Sequence, residues 1–532
     1  MGKLGNPNYK FLCRAASSAA HIYGKDKAWA ESFTSGSWNK SYEYSTYPQE
    51  LKSLGDWAFC QGINSTVLHL YIQQAYENIY PGIDAWFGTE FNRKNTWFKH
   101  MDLFTQYHRR CNYMLQQGKN VADIAYYIGE DNPITKDPLT VKIPKGFNYD
   151  YINSEVIIKY LKVTNGRFVL PDGTSYRVLM LPPRTTMRPE VIEKIAQLVA
   201  AGGVVMGNPP SQSPSLQNYP TADRIVKTLA NQIWGTANEK QHRYGKGMVF
   251  RQTELTDVLN SLGITADFEV DASAIDYTHR TLNGKEIYFI ANTSGKKTEF
   301  TATFRVSGLQ PEFWDALTGV TRTLPTFGQA GATTKIPLKL DANGSAFIVF
   351  DKKDAASAQT LAANFPDPTI MSTLDGPWTV TFEHDSVKRG PKEPVLMPML
   401  MDWSKSADKR IRNYSGAAIY NKMFSLTNYS KENSYYLDLC NLSATAKVKV
   451  NGKYVGGIWT FPYRVNITGA VRDGENNVEI EVINTWKNRL IGDHNLPAQQ
   501  RIVQSRINPW NGDSTLQPSG LWGPVTLLAV KK

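Results

Sequence analysis

From residue 373 to residue 532, apolar and polar side chains alternate one for one in run after run: Trp378-Thr-Val-Thr-Phe382, Ala446-Lys-Val-Lys-Val450 and Asn477-Val-Glu-Ile-Glu-Val482. Period two sends successive side chains to opposite faces, so each run suits a strand with one face buried and the other in water. Asn451-Gly452 separates the second run from a return strand beginning at Lys453. A two-residue hairpin turn needs positive φ at both central positions, which Asn-Gly accepts at little cost. This stretch is expected to form an antiparallel β-sandwich. Its tryptophans Trp459, Trp486, Trp510 and Trp522 either fill cores or stack on a ligand; Trp486, directly after an alternating strand, reads as core.

The rest of the chain is patterned differently, and 532 residues call for several domains. Residues 1–118 alternate helix and strand: a helix over Phe11–Tyr23 ended by Gly24, a strand over Ala28–Phe33, a helix over Pro48–Gln61, a strand over Thr66–Ile72 and a helix over Asn95–Gln117 ended by Gly118. Residues 119–252 predict a flavodoxin-like α/β domain, with strands at Val121–Ile128, Arg177–Leu181 and Val204–Met206. A helix over Pro189–Ala201 carries apolar residues at 191, 192, 195, 198 and 199, the spacing of one buried face. Its turns hold neither GxGxxG nor GxxxxGK[ST], which argues against a nucleotide site. Residues 253–354 carry short strands and Asn-Gly or Ser-Gly turns and read as a second β-sandwich. Residues 355–372, rich in Ala and Asp, read as a linker.

The net charge of +11 raises nucleic acid and acidic polysaccharide as partners. No dense Lys/Arg block and no zinc, helix-turn-helix or RNA-binding signature accompanies it, so nucleic acid is set aside and the charge reads as a solvated surface. No apolar run of membrane-spanning length occurs, so no membrane partner is expected. Cys13, Cys60, Cys111 and Cys440 have neither metal-site nor disulfide-framework spacing; the first three, on helices, predict buried thiols. The first residues form no signal peptide, which taken literally predicts a cytoplasmic protein. Aromatics at 12% fit β-sandwich cores and sugar stacking alike.

Four stretches of the last domain resemble the jelly-roll, galactose-binding-like "sugar-binding" domain of family 2-type glycoside hydrolases: Tyr414-Ser-Gly-Ala-Ala-Ile-Tyr420, Val450-Asn-Gly-Lys-Tyr-Val-Gly456, Ile483-Asn-Thr-Trp-Lys-Asn-Arg-Leu-Ile-Gly492 and Ser519-Gly-Leu-Trp-Gly-Pro524. Four stretches nearer the start resemble the α-L-rhamnosidases of glycoside hydrolase family 106: Ala30-Glu-Ser-Phe-Thr34, His69-Leu-Tyr-Ile-Gln73, Phe91-Asn-Arg-Lys-Asn-Thr-Trp97 and Leu115-Gln-Gln-Gly-Lys-Asn-Val-Ala-Asp123. The resemblance implies inverting hydrolysis of terminal α-L-rhamnose from plant polysaccharide, a calcium ion at the sugar hydroxyls, and a jelly roll that buttresses a catalytic barrel. It also implies a periplasmic or extracellular full-length enzyme. A (β/α)8 barrel takes roughly 250 residues. Residues 1–118 hold enough for two or three βα units, so they are expected to be a partial (β/α)8 barrel whose partner is the missing N-terminal half, with Met1 an internal start, a truncated gene or a split gene. Galactosidase or glucuronidase activity of family 2 type, or a non-catalytic carbohydrate-binding fragment, are the alternatives.

Inverting hydrolysis needs two carboxyl groups, and barrel enzymes place them at the carboxyl ends of strands. Glu31 closes the first strand, with Ser32, Thr34 and Ser35 after it; alone it reads equally as a catalytic carboxylate or a structural ion-pair partner, and the resemblance implies the catalytic base. Asp84 and Glu90 follow the second strand as candidates for its partner, although the resemblance implies an acid on a strand outside this chain. Alternation puts Val67, His69 and Tyr71 on one strand face with Gln73 beyond it, so His69 and Gln73 either reach sugar hydroxyls or pack. Arg93 and Trp97 in the next loop either bind and stack on a sugar or serve as surface charge and core aromatic.

Overall fold

The computed structural model describes residues 7–34, 44–85, 88–130, 134, 136–351, 363–384, 389–505 and 508–531. The chain opens with α1 (Pro7–Ile22), β1 (Trp29–Ser32), α2 (Pro48–Cys60), β2 (Ser65–Leu68) and α3 (Met101–Leu115). β1 and β2 run parallel, in register from Trp29↔Ser65 to Ser32↔Leu68. Parallel neighbours need a crossover, and α2 supplies it. Pro48 starts α2 at the position where a missing N–H costs nothing. Gly62 then releases the chain at φ 92°, where a Cβ would stand 2.6 Å from that of Ser17. Among the described residues β1 and β2 have no further strand neighbours, and closure into a barrel is not seen.

Two boundaries differ from expectation. β2 stops at Leu68 rather than Ile72, because its partner β1 ends at Ser32. Beyond it the backbone turns to pair with a later segment: Leu70 N donates to Thr89 O (2.8 Å), Thr89 N to His69 O (3.1 Å) and Phe91 N to Leu70 O (3.0 Å). The single helix expected over Asn95–Gln117 begins instead as a 3-10 turn, Thr96–His100, since the Asn95 amide donates to Glu90 O (2.8 Å) and offers no cap.

The second unit is a doubly wound sheet. Its parallel strands lie in the order Tyr149–Ile152, Ile124–Tyr127, Val178–Met180, Val204–Met206, Gly247–Phe250, with Gln241–Tyr244 antiparallel at the edge. Helix Pro189–Ala200 buries Val191, Ile192, Ile195, Leu198 and Val199, the stripe its spacing predicts. Two elements cross the expected boundaries, one at residue 118 and one at residue 252. α1 packs on this sheet, where fully buried Asp150 accepts from Ser18 (3.1 Å), Tyr176 (3.0 Å) and Asn120 (3.2 Å) and lies 2.9 Å from His21 Nδ1. Lys119–Asn120 pairs with Arg280–Thr281 of the next unit.

That third unit stacks a four-stranded sheet on a six-stranded one, with Tyr288, Phe304, Ile336, Ile348 and Phe350 between them. The fourth is a sandwich of four- and six-stranded sheets built largely from the alternating runs. Asn451 and Gly452 turn its hairpin at φ 51° and 76°. The linker expected over 355–372 ends early: Thr369–Thr373 is a strand on the edge of this sandwich, and buried Asn364 donates to Thr326 O (2.7 Å) and Pro337 O (3.0 Å). Residues 352–362 lie outside the described residues. Cys60 and Cys111 are buried, whereas Cys13 is partly exposed. No helix among the described residues is long and apolar enough to cross a membrane.

Two buried polar clusters join the units. Lys52 and Asp56, successive turns of α2 and 0% and 2% exposed, form a 2.6 Å ion pair. Lys52 also donates to Asn343 O and Ser345 Oγ of the third unit, both at 2.9 Å, and Tyr107 of α3 hydrogen-bonds Asp56 and Ser345. Removing one partner of a buried pair strands the other charge, at a cost of about 3–5 kcal/mol. Lys52→Met should lose that much in denaturant unfolding, and Lys52→Met/Asp56→Leu should recover most of it; a parental midpoint for the single variant contradicts this reading.

In the second cluster His279 lies 3.0 Å from both Asp267 oxygens and 2.9 Å from Glu286, and Arg305 spans Asp267 and Asp123. Burial disfavours a charged imidazole, but the two carboxylates outweigh it and raise His279 from 6.5 to about 9. A raised folded pKa contributes stability that is complete below pH 6.5 and lost as pH rises through about 9. The thermal midpoint should therefore fall across that window in the parent and fall less in His279→Gln; equal slopes contradict the assignment.

Candidate active site

Side chains on a strand alternate between faces, and parallel neighbours in register share them. Trp29, Glu31 and Val67 thus project from one face of the β1–β2 pair. Glu31 is exposed, Trp29 is 60% exposed and Val67 43%. The other face is packed: Thr66 lies 3.4 Å from His108 of α3, and Ala30 sits with Ala20, Ala28 and Ile63. A groove of about 410 Å³ opens between β2 and α3, lined by Thr66, Leu68, Phe104, His108, Asn112 and Tyr113. It lies behind the sheet, on the side away from Glu31.

Glu31 stands near the carboxyl end of β1, and Thr34 Oγ1 donates to it at 2.6 Å. Ser35 lies outside the described residues. Between them Phe33 adopts φ 67°, a left-handed conformation that costs a bulky residue on the order of 1–2 kcal/mol. Its ring is buried against Phe91, Phe104 and His108, and Thr89 Oγ1 donates to its carbonyl (2.8 Å). That packing holds the turn immediately after Glu31.

The chain beyond β2 forms the rest of the mouth. His69 follows the strand rather than lying in it, and is half-buried beneath Gly88, where φ is 106° and a Cβ would come 3.0 Å from the imidazole and 2.1 Å from Leu70. Gln73 is exposed at the crest of the loop. Its neighbour Gln74, which sequence reasoning did not single out, is the buried staple: its amide donates to Ile83 O (2.8 Å) and accepts from Ile83 N (2.7 Å). Arg93 donates to both oxygens of Glu77 at 2.7 Å and to Gln74 O at 2.7 Å, so it braces the loop from a half-exposed position.

One expectation needs correction, and two candidate carboxyl groups prove to be engaged within the fold. Trp97 is fully buried, donates to Thr46 O (3.1 Å) and meets Phe91 edge-on; the 3-10 turn points it inward, so it cannot stack on a sugar from solvent. Glu90 is buried and accepts from Ala85 N (3.3 Å) and Asn92 Nδ2 (2.9 Å), which makes it an internal brace. Asp84 accepts from Tyr44 (2.8 Å) and Ser505 (3.3 Å). Glu31 and His69 therefore stand at adjacent strand ends, with His69 N donating to Ser32 O (3.0 Å), while Gln73 and Arg93 lie on the loop beyond β2, and Asp84 and Glu90 are both engaged in hydrogen bonds. Calcium takes about six to eight oxygen ligands. Among the described residues no three His, Cys, Asp or Glu side chains converge to hold a metal, so these residues do not fit such a site by themselves.

The C-terminal sandwich closes against this unit. Trp486 is fully buried, donates to Lys94 O (2.8 Å) and packs against Tyr80; Trp459 packs against Phe104 and Tyr107 of α3. Glu481 accepts from Lys99 (2.6 Å) and lies 3.1 Å from His100, whose hydrogen bond draws it down to about 2. Trp510 is buried beneath Lys487, whose ammonium caps its ring at 4.1 Å, and Trp522 is half-buried.

Known proteins share this arrangement. A family model described as alpha-L-rhamnosidase matches residues 2–327, and one for the glycosyl hydrolase 2 galactose-binding-like domain matches 404–523. The solved structure of a rhamnosidase from Novosphingobium sp. PP1Y superposes with a TM-score of 0.92 at 32% identity, covering 100% of this chain and 50% of that one. A curated Formosa agariphila protein, provisionally named a beta-glucuronidase, is 26% identical over 96% of this chain and 64% of its own length. The chain thus spans about half to two thirds of the relatives it matches, and on the strength of the family match over more than half its length it belongs to the alpha-L-rhamnosidase family.

Proposed function

We propose that this chain is part of a glycoside hydrolase that removes terminal α-L-rhamnose from plant polysaccharide with inversion. The observation that carries the reading is Glu31, exposed near the carboxyl end of a parallel strand, in a chain whose whole length resembles a rhamnosidase. In an inverting reaction one carboxyl group protonates the departing glycosidic oxygen. A second takes a proton from water as that water attacks the anomeric carbon from the opposite face, the two standing roughly 6.5–9.5 Å apart. Glu31 suits the role of base, because it is open to water and Thr34 orients one oxygen while the other stays available. His69 and Gln73 would contact sugar hydroxyls, with Arg93 steadying the loop that carries Gln73.

The acid comes from elsewhere, because Glu90 is buried and braced within its own loop and Asp84 is engaged by Tyr44 and Ser505. We place it on further strands of a (β/α)8 barrel, carried by an N-terminal half that pairs with the open edges of β1 and β2 and covers Trp29 and Val67. Any calcium would likewise take ligands from that half, and no step above depends on it. A plant glycan substrate places the full-length enzyme in the periplasm or outside the cell.

The Formosa relative's name supports a second reading, hydrolysis of a β-glucuronide. Aryl α-L-rhamnoside, β-D-glucuronide and β-D-galactoside assayed side by side separate the two. The chain by itself should turn over none of them. Completed by the other barrel half it should hydrolyse the rhamnoside, and Glu31→Gln should lower kcat by about 10²–10⁴. Hydrolysis by the chain alone contradicts the incomplete barrel, insensitivity to Glu31→Gln contradicts the base, and preference for the glucuronide favours the second reading.

A further inference from the structure

We propose that the C-terminal sandwich clasps the loop that carries Gln73 and Arg93, with Asp84 as a positioning residue; the proposal rests on reading the Glu31 face as a sugar-hydrolysing site. After its helix Lys487–Asp493 the sandwich sends out a loop that reaches the connection between β2 and α3 of the first unit. Asp493 Oδ2 accepts from Ile502 N (2.7 Å) and Val503 N (2.9 Å), which ties the returning loop to the helix. In the next two residues the loop crosses to the first unit: Gln504 N donates to Tyr80 O (2.7 Å) and Ser505 Oγ to Asp84 Oδ2 (3.3 Å).

The same Asp84 oxygen accepts the Tyr44 hydroxyl at 2.8 Å. Tyr44 lies four residues before α2, and Asp84 lies in the connection from β2 to α3. One carboxylate therefore joins Tyr44, the loop carrying Gln73 and Arg93, and the sandwich. A second anchor, Trp486 to Lys94 O, fixes the far end of the Gln73–Arg93 loop one residue past Arg93. A loop held at its middle and its far end by the sandwich keeps its sugar contacts in place, and loss of one anchor should weaken substrate binding while leaving Glu31 where it stands.

Two arms test this, with an acceptor-free variant, Asp84→Ala, and one that keeps an acceptor oxygen, Asp84→Asn. In the chain by itself, thermolysin cleavage within residues 72–85 should rise about tenfold in Asp84→Ala and return to the parental rate in Asp84→Asn, with thermal midpoints close to the parent's. In an assembly that hydrolyses aryl α-L-rhamnoside, Asp84→Ala should raise KM about tenfold with kcat within about threefold of the parent, and Asp84→Asn should restore it. Parental cleavage in Asp84→Ala, or a fall in kcat at constant KM, overturns the proposal. Failure of every assembly to turn over the rhamnoside counts against the glycosidase reading, while the cleavage arm still judges the clasp.

Discussion

Lys52 has no exposed surface, and its ammonium is satisfied only where α2, α3 and a loop of the third unit meet. A buried cation demands a carboxylate and further acceptors at close range, and Asp56, Asn343 O and Ser345 Oγ provide them within 2.9 Å. That requirement fixes the two helices against the inner sheet of the third unit. Because α2 and α3 back β1 and β2, it also fixes the strand pair that carries Glu31. A parallel pair of four-residue strands has little stability of its own, so the site stands where this junction puts it.

The four units consequently act as one scaffold. α1 is pinned through Asp150 to the doubly wound sheet, Lys119–Asn120 extends the third unit's sheet, and the C-terminal sandwich grips the loop after β2 through Trp486. Every anchor lies behind or beside the strand pair. Its front, with Trp29, Glu31 and Val67, is left to water. Among the described residues one side of the pair is packed and the other open, and the chain covers 50% of the matched rhamnosidase chain.

What could be read from sequence followed from how local the controlling interaction is. The Asn451-Gly452 turn, the stripe of helix Pro189–Ala200 and the place of Glu31 near a strand end depend on neighbours in sequence, and residue types alone disclose them. The end of β2 was not legible, because it depends on where β1 stops and on a later segment, Thr89–Phe91, that takes over the hydrogen bonding. The fate of Trp97, Asp84 and Glu90 was not legible either: each is decided by partners on other loops, Thr46, Tyr44, Ser505 and Asn92 among them. Gln74 and Phe33 gave a weak signal, a second glutamine beside an exposed one and an aromatic within a strand-end motif, and only their hydrogen bonding and positive φ reveal what they do.

Backbone amide exchange across Trp29–Ser32 and Ser65–Leu68, measured on the chain by itself, tests most directly whether the edges of this pair await further strands. With open edges, the outward amides of both strands should exchange at least about a hundredfold faster than those in the middle of α3. Protection of both strands equal to that of α3 would mean that the edges are already paired, and would contradict the incomplete barrel proposed here.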